Sequence, residues 1–248
     1  MRNIRCLFVL LVLVSLASCR PEHKGTAVVT GRLPDGSGTM LTLEEIVLTG
    51  MPYSDSLKAG SDGFFRFDLS PKETGFYALK TADGRMTILI LAPGDTLDIQ
   101  GTWSGFPVST ELAGPEDAVL LHNFYRKGYA RKAIADSLQA VLVENRNDSL
   151  FATLCMETDT IFDSIWESQR KDGIAFLREH PGSFASLIVV DYSFGVRNVL
   201  SMEQDLACYK AVDSALSIRF PGNPHVLFLH KKIADFERRQ KLTKVANP

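Results

Sequence analysis

The sequence predicts an α+β protein in which an N-terminal antiparallel β-sandwich or partly open barrel is followed by an α-helical bundle. Two observations carry this. Between residues 26 and 102 short apolar runs alternate with turn residues, as in an all-β module. Between residues 115 and 240 apolar residues recur at spacings of three and four, and proline and glycine are confined to the joints. The 248 residues leave room for two domains with real cores.

The chain opens with Arg2 and Arg5, an apolar run from Cys6 to Leu16, and then Ala17-Ser18-Cys19. A basic start, roughly ten apolar residues and small residues at the cut mark a secretory signal, too short to span a bilayer as a mature helix. Leu16-Ala17-Ser18-Cys19 resembles the lipobox of bacterial lipoproteins. The resemblance implies a signal peptide over residues 1–18, a covalent diacylglyceryl group on Cys19, and a lipidated tether over residues 19–25. Each buried methylene adds about 0.8 kcal/mol, so several acyl chains would anchor the protein permanently in a lipid bilayer. The tether carries no acidic run of the kind associated with export to the cell surface, so a periplasm-facing place in the envelope is expected.

Candidate strands follow at 26–33, 41–48, 53–59, 64–69, 75–80, 85–91 and 96–100. Asp35-Gly36, Asp62-Gly63, Asp83-Gly84 and Gly94-Asp95 supply the positive φ angles and side-chain hydrogen bonds of tight turns. In Phe65-Arg66-Phe67-Asp68-Leu69 alternation places aromatics on one face and charges on the other, which predicts a sheet with one dry and one wet face.

In the helical half, Leu120, Phe124, Ile134, Leu138, Val141 and Leu142 form one stripe, with a break expected near Gly128. Leu150, Phe151, Leu154, Cys155, Ile161, Phe162, Ile165 and Trp166 form a second, which assigns Trp166 to the core. Ser201 with Gln204 fits a capping box, and Asn223-Pro224 fits an N-cap with proline in the first turn. Glu179-His180-Pro181-Gly182-Ser183 is echoed by Arg219-Phe220-Pro221-Gly222-Asn223, and each segment ends one helix and opens the next.

Net charge is −2 and no basic run tracks a phosphate backbone, which argues against nucleic acid as a partner. The chain contains no Cys-x-x-Cys, His-Glu-x-x-His, Gly-x-Ser-x-Gly or phosphate-binding glycine loop, so no catalytic residue, metal ligand or cofactor beyond the Cys19 lipid is assigned. His225 and His230 lie five apart in one helix and off a shared face. Of the four cysteines, Cys155 and Cys208 keep free thiols after processing. Both sit among apolar residues of helices, where cysteine packs as a small hydrophobe, and a Cys155–Cys208 disulfide is the alternative. Ala92-Pro93-Gly94-Asp95 reads as a strand-stopping turn rather than an ion loop. Tyr53, Trp103 and Phe106 are candidates for a partner surface, although residues 103–107 lie where packing between the halves also calls for aromatics.

The order of lipobox, Ser61-Asp62-Gly63-Phe64-Phe65-Arg66-Phe67, Gly75-Phe76-Tyr77 and Ile90-Leu91-Ala92-Pro93-Gly94-Asp95-Thr96-Leu97 resembles the DUF4369 family of Bacteroidetes lipoproteins. The helical segments 179–187 and 220–226 look like those that follow the β-module there. In many relatives this region precedes a thioredoxin-like domain of an envelope thiol-disulfide oxidoreductase. No Trp-Cys-x-x-Cys occurs in this chain, so the family's redox residues have no positions to land on. The resemblance implies an anchored, non-catalytic binding or accessory module, with an envelope protein as partner. The alternative is half of a split or truncated oxidoreductase working with a separate thioredoxin-like protein. A third expectation is a surface glycan-binding lipoprotein.

Overall fold

The computed structural model describes residues 25–246, so the signal segment and Cys19 lie outside the described residues. The N-terminal half holds two four-stranded sheets stacked as a sandwich, and a region of five helices follows. The first sheet consists of β1 (Ala27–Arg32), β4 (Phe64–Leu69), β7 (Thr96–Gln100) and β8 (Glu111–Ala113), in the order β4-β1-β7-β8. The second consists of β2 (Met40–Ile46), β3 (Ser54–Lys58), β5 (Gly75–Thr81) and β6 (Met86–Leu91), in the order β3-β2-β5-β6. All seven expected strands form. β8 was not expected, since three residues, Glu111 to Ala113, hold too little pattern to read, and it carries the first sheet past residue 102. The pairing is antiparallel except for β1 with β7, which run parallel in adjacent register from Val28↔Thr96 to Arg32↔Gln100.

Strand patterns follow from what covers each face. β4 buries Phe65, Phe67 and Leu69 and exposes Arg66 and Asp68, which pair at 2.7 Å. β5 is buried on both faces, because Phe76 meets the rings of Phe184 (4.8 Å) and His225 (5.0 Å) while its neighbour Tyr77 points the other way into the sandwich. The helices thus cover the outer face of the second sheet. Buried residues of both halves, from Ala27 to Phe236, form one continuous core.

The turns close largely as expected. Gly63, Gly84 and Gly94 have positive φ, and Asp95 closes its own turn by accepting from the Ala92 N–H at 2.7 Å. Asp35-Gly36 differs. Pro34–Gly36 is a 3-10 turn, Gly38 takes the positive φ, and Gly36 is instead needed for space, since a Cβ there would meet the Trp103 ring at 2.8 Å.

The helices are α1 (Glu116–Glu144), α2 (Phe151–Glu179), α3 (Ser186–Val190), α4 (Met202–Arg219) and α5 (Pro224–Ala246), with a two-stranded hairpin of β9 (Ser193–Phe194) and β10 (Arg197–Asn198) between α3 and α4. The break expected at Gly128 does not occur. Helix α1 runs through it, and the glycine makes room for Tyr192, whose hydroxyl would lie 2.8 Å from a Cβ. The capping box at Ser201 is also replaced. Asp205, not Gln204, reaches back to accept the Ser201 N–H at 3.0 Å, because its carboxylate is held in place by Arg170 of α2.

The two echoed segments make matching corners. His180 and Phe220 end their helices, and the third residue after each accepts from the next helix: Ser183 Oγ from the Ala185 N–H (3.2 Å), Asn223 Oδ1 from the His225 N–H (3.0 Å). Each capping side chain also reaches outward. Ser183 Oγ donates to Asp117 at the start of α1 (2.7 Å), and Asn223 Nδ2 donates to Glu73 Oε2 (2.9 Å) and the Thr74 carbonyl (2.8 Å), tying α5 to the β-half.

Candidate functional site

The three aromatics expected to share a partner surface do not come together. Phe106 is a core residue, 1% exposed, and the expectation of an exposed site there is corrected. Trp103 is half-buried over Gly36, with the Arg85 guanidinium 5.3 Å from its ring centroid. That loop is locked from two sides. Asp35 accepts from the N–H groups of Trp103 and Ser104, and Arg85 donates to the carbonyls of Trp103 and Phe106. The Ser104 and Trp103 donors hold the Asp35 carboxyl down at about 2. Tyr53 leads into β3, at the edge of the second sheet opposite to β6 and the Arg85 that precedes it, so the whole width of the sheet lies between Tyr53 and Arg85. It lines a separate depression of about 530 Å³ with Glu45 and Tyr77.

The cysteines do not pair. Cys155 and Cys208 are free and half-buried. Arg170 of α2 bonds Asp205, less than one turn from Cys208, while Cys155 is roughly 22 Å back along α2 at ~1.5 Å per residue. A disulfide needs Cα atoms within about 7 Å. Burial also pushes the Cys208 thiol up, the opposite of an activated nucleophile. His225 and His230 are separated as expected: the first packs on Phe76 and Phe184, and the second pairs with Asp213 at 2.9 Å.

The feature of greatest chemical content is a groove of about 820 Å³ where α1, α2 and the β9–β10 hairpin meet. From α1 it takes Gly128, Tyr129, Lys132, Ala135, Asp136 and Gln139, residues of one face. From α2 it takes Asp159, Phe162, Asp163 and Trp166, which recur at spacings of three and four. The connector supplies Tyr192, Phe194, Val196 and Arg197.

Local chemistry sets this shape. Arg131 of α1 donates to Gln169 (2.7 Å), Ser168 (3.0 Å) and Asp172 (2.7 Å) of α2, fixing the two helices beside the groove. Arg170 fixes the other side, donating to the Val199 carbonyl (2.8 Å) and to both oxygens of Asp205 (2.9 and 2.5 Å), whose carboxyl it holds below the usual range. Between these pins the chain makes a two-residue hairpin turn with Gly195 at φ 62 and Val196 fully exposed at the tip. Tyr192 packs edge-on against Phe124 (5.1 Å), and burial raises its hydroxyl pKa.

The charged groups of the groove are mostly paired. Lys132 holds both oxygens of Asp136 (2.7 and 2.6 Å), and Arg197 donates to Asp163 at 2.6 Å. Arg197 also lies 4.5 Å from the Trp166 ring centroid. The Trp166 indole N–H is buried and has no acceptor, a state that costs about 1–3 kcal/mol. Its spacing in the sequence is that of a core residue, and the structure corrects this by leaving the side chain half-buried in the groove lining. The Gly195 turn in Ser193-Phe194-Gly195-Val196-Arg197 is the one signal in the sequence that could have revealed the hairpin and hence the groove.

No family model matches the chain, and no curated protein matches it either. Among solved structures it is similar to a 9R-lipoxygenase from Cyanothece PCC8801, at 12% identity and a TM-score of 0.22. That match covers 58% of this chain and 28% of the lipoxygenase chain, so the aligned region is under a third of the lipoxygenase's length, and a likeness of this order carries no argument about fold or activity.

Proposed function

We propose that this protein is a membrane-anchored lipoprotein of the cell envelope that works as a non-catalytic binding module, with the groove between α1, α2 and the β9–β10 hairpin as its ligand seat. The observation that carries the proposal is the groove itself, which joins aromatic walls to a buried indole N–H without an acceptor. Its lining supplies recognition chemistry: Tyr129, Phe162, Tyr192 and Phe194 offer apolar area, and the ion pairs on its rim set orientation. The raised Cys208 thiol supports a passive role for that cysteine. No described helix is long and apolar enough to cross a membrane, so anchoring in this proposal rests on Cys19.

Two experiments test the two parts. Cell fractionation should find the protein with the membranes and its Cys19→Ser variant released from them; equal membrane retention of the variant removes the anchor. For the groove, the Trp103→Phe variant leaves Trp166 as the sole tryptophan. Its emission should shift on titration with one class among envelope peptides, muropeptides and lipopolysaccharide, and silence toward all three rejects the ligand seat.

A further inference from the structure

We infer that the groove receives a short extended peptide of a partner protein, one that presents an apolar side chain beside a cationic one. This rests on the groove being the ligand seat. The first argument is charge. Lys132 is taken up by Asp136 and Arg197 by Asp163, which leaves Asp159 as the groove carboxylate with no ion-pair partner among the described residues. Asp159 is exposed and hydrated in the free protein, and a cation carried by the ligand is the group that can pair with it.

The second argument is spacing. Asp159 and Trp166 are seven residues apart on α2, about 10 Å along its axis and on one face. An extended peptide advances ~3.3 Å per residue, so three residues cover that distance. A backbone carbonyl meets the Trp166 N–H, the cationic side chain meets Asp159, and the apolar side chain between them packs on Phe162, which lies between the two positions.

The third argument separates a peptide from a sugar. Glycans are held by stacking on free aromatic faces, and the largest ring here is already engaged, with Arg197 4.5 Å and Arg170 5.9 Å from the Trp166 centroid. What Trp166 still offers is its edge donor, which suits a carbonyl. That donor lies beneath the surface, and the hairpin beside it pairs through Arg197↔Phe194 and Asn198↔Ser193, with Arg197 bonded to Asp163 and its exposed tip at Gly195-Val196 unattached by any of these bonds. Admitting a carbonyl requires the side chains around the N–H to move, Arg197 first among them because it lies against the ring.

The test probes an array of random octapeptides and an array of glycans with the full mature protein. The best peptides are then synthesised and titrated calorimetrically. Recovered peptides should be rich in Lys or Arg near Leu or Phe, and their affinity should fall with rising salt. Asp159→Asn should weaken the best peptide about tenfold, the scale of a hydrogen bond to a charged group. Glu157→Gln, on the same helix outside the groove, should leave binding unchanged. Peptides without a cationic preference, indifference to Asp159→Asn, or glycans bound in place of peptides would overturn the inference. In those cases a shift of Trp166 emission with the bound class leaves the groove reading standing, whereas silence on both arrays ends both.

Discussion

Arg197 lies against Trp166, its guanidinium carbon 4.5 Å from the ring centroid, while the same group donates to Asp163 at 2.6 Å. One hairpin side chain thus covers the indole and neutralises a carboxylate on α2. Arg197 and Asp163 are both more than half exposed, so each interaction is weak in energy. Together they place a guanidinium over one face of a half-buried ring.

Arg197→Ala is therefore expected to lower stability by no more than about 1 kcal/mol and yet to change the environment of Trp166. In the Trp103→Phe background the emission maximum should move to longer wavelength. An unchanged spectrum would show that Arg197 does not shield the ring.

Asp205→Ala should be far more damaging. Arg170 and Asp205 are 18% and 8% exposed, and the substitution strands a buried guanidinium and frees the Ser201 N–H. Breaking a buried pair by removing one partner costs about 3–5 kcal/mol. Urea denaturation should show that loss, with a smaller one for Asp205→Asn.

Two histidines make the junction of the halves acid-sensitive. His122 Nε2 donates to the Thr110 carbonyl at 2.8 Å, and His225 packs on Phe76. Burial holds both below the usual histidine pKa; Arg126 adds to this at His122, while Glu45 opposes it at His225. The unfolded chain takes up these protons near pH ~6.5 and the folded chain only at lower pH. Below pH ~6.5 the unfolded state binds more protons, so stability is complete above that value and falls as pH drops through the folded pKa values. Urea midpoints should be level from pH 8 to about 7 and decline from about 6.5 to 5, and His122→Gln with His225→Gln should flatten the decline.

Both helical thiols should titrate with Ellman's reagent in the unfolded mature protein without prior reduction. In the folded protein Cys208 should react slowly, because burial disfavours its thiolate. A mass lower by two hydrogen atoms under non-reducing conditions would show a disulfide instead.

Gly63→Ala tests the turn chemistry. Its φ is 75, and a Cβ would stand 2.0 Å from the Leu33 carbonyl oxygen. The left-handed conformation alone costs about 1–2 kcal/mol. With a backbone atom in the way the total should exceed ~2 kcal/mol in chemical denaturation.

The β-half was legible because its signals are local. The alternation in Phe65-Arg66-Phe67 and the glycine after Asp62 report their own backbone geometry within a few residues. The groove was not legible for the same reason. Trp166 carries the spacing of a core residue, yet it is only half-buried and lines the groove, because the hairpin that brings Arg197 against its ring lies some thirty positions on. Phe106 shows the reverse error. A junction aromatic in a polar stretch reads as exposed, and it is buried because Arg85 and Asp35 fold its loop inward.

The order of elements, the one-sided β4 strand and the helix start at Asn223-Pro224 were determined by the sequence, since each depends on side-chain periodicity and caps acting over one or two turns. Tertiary structure alone decided the two-sided burial of β5, the reach of Asn223 to Glu73, the replacement of the Ser201 cap by Asp205, and the meeting of α1, α2 and the hairpin in one groove. Those features join residues tens of positions apart, and their energy comes from desolvation and ion pairing between surfaces that exist only once the chain has packed.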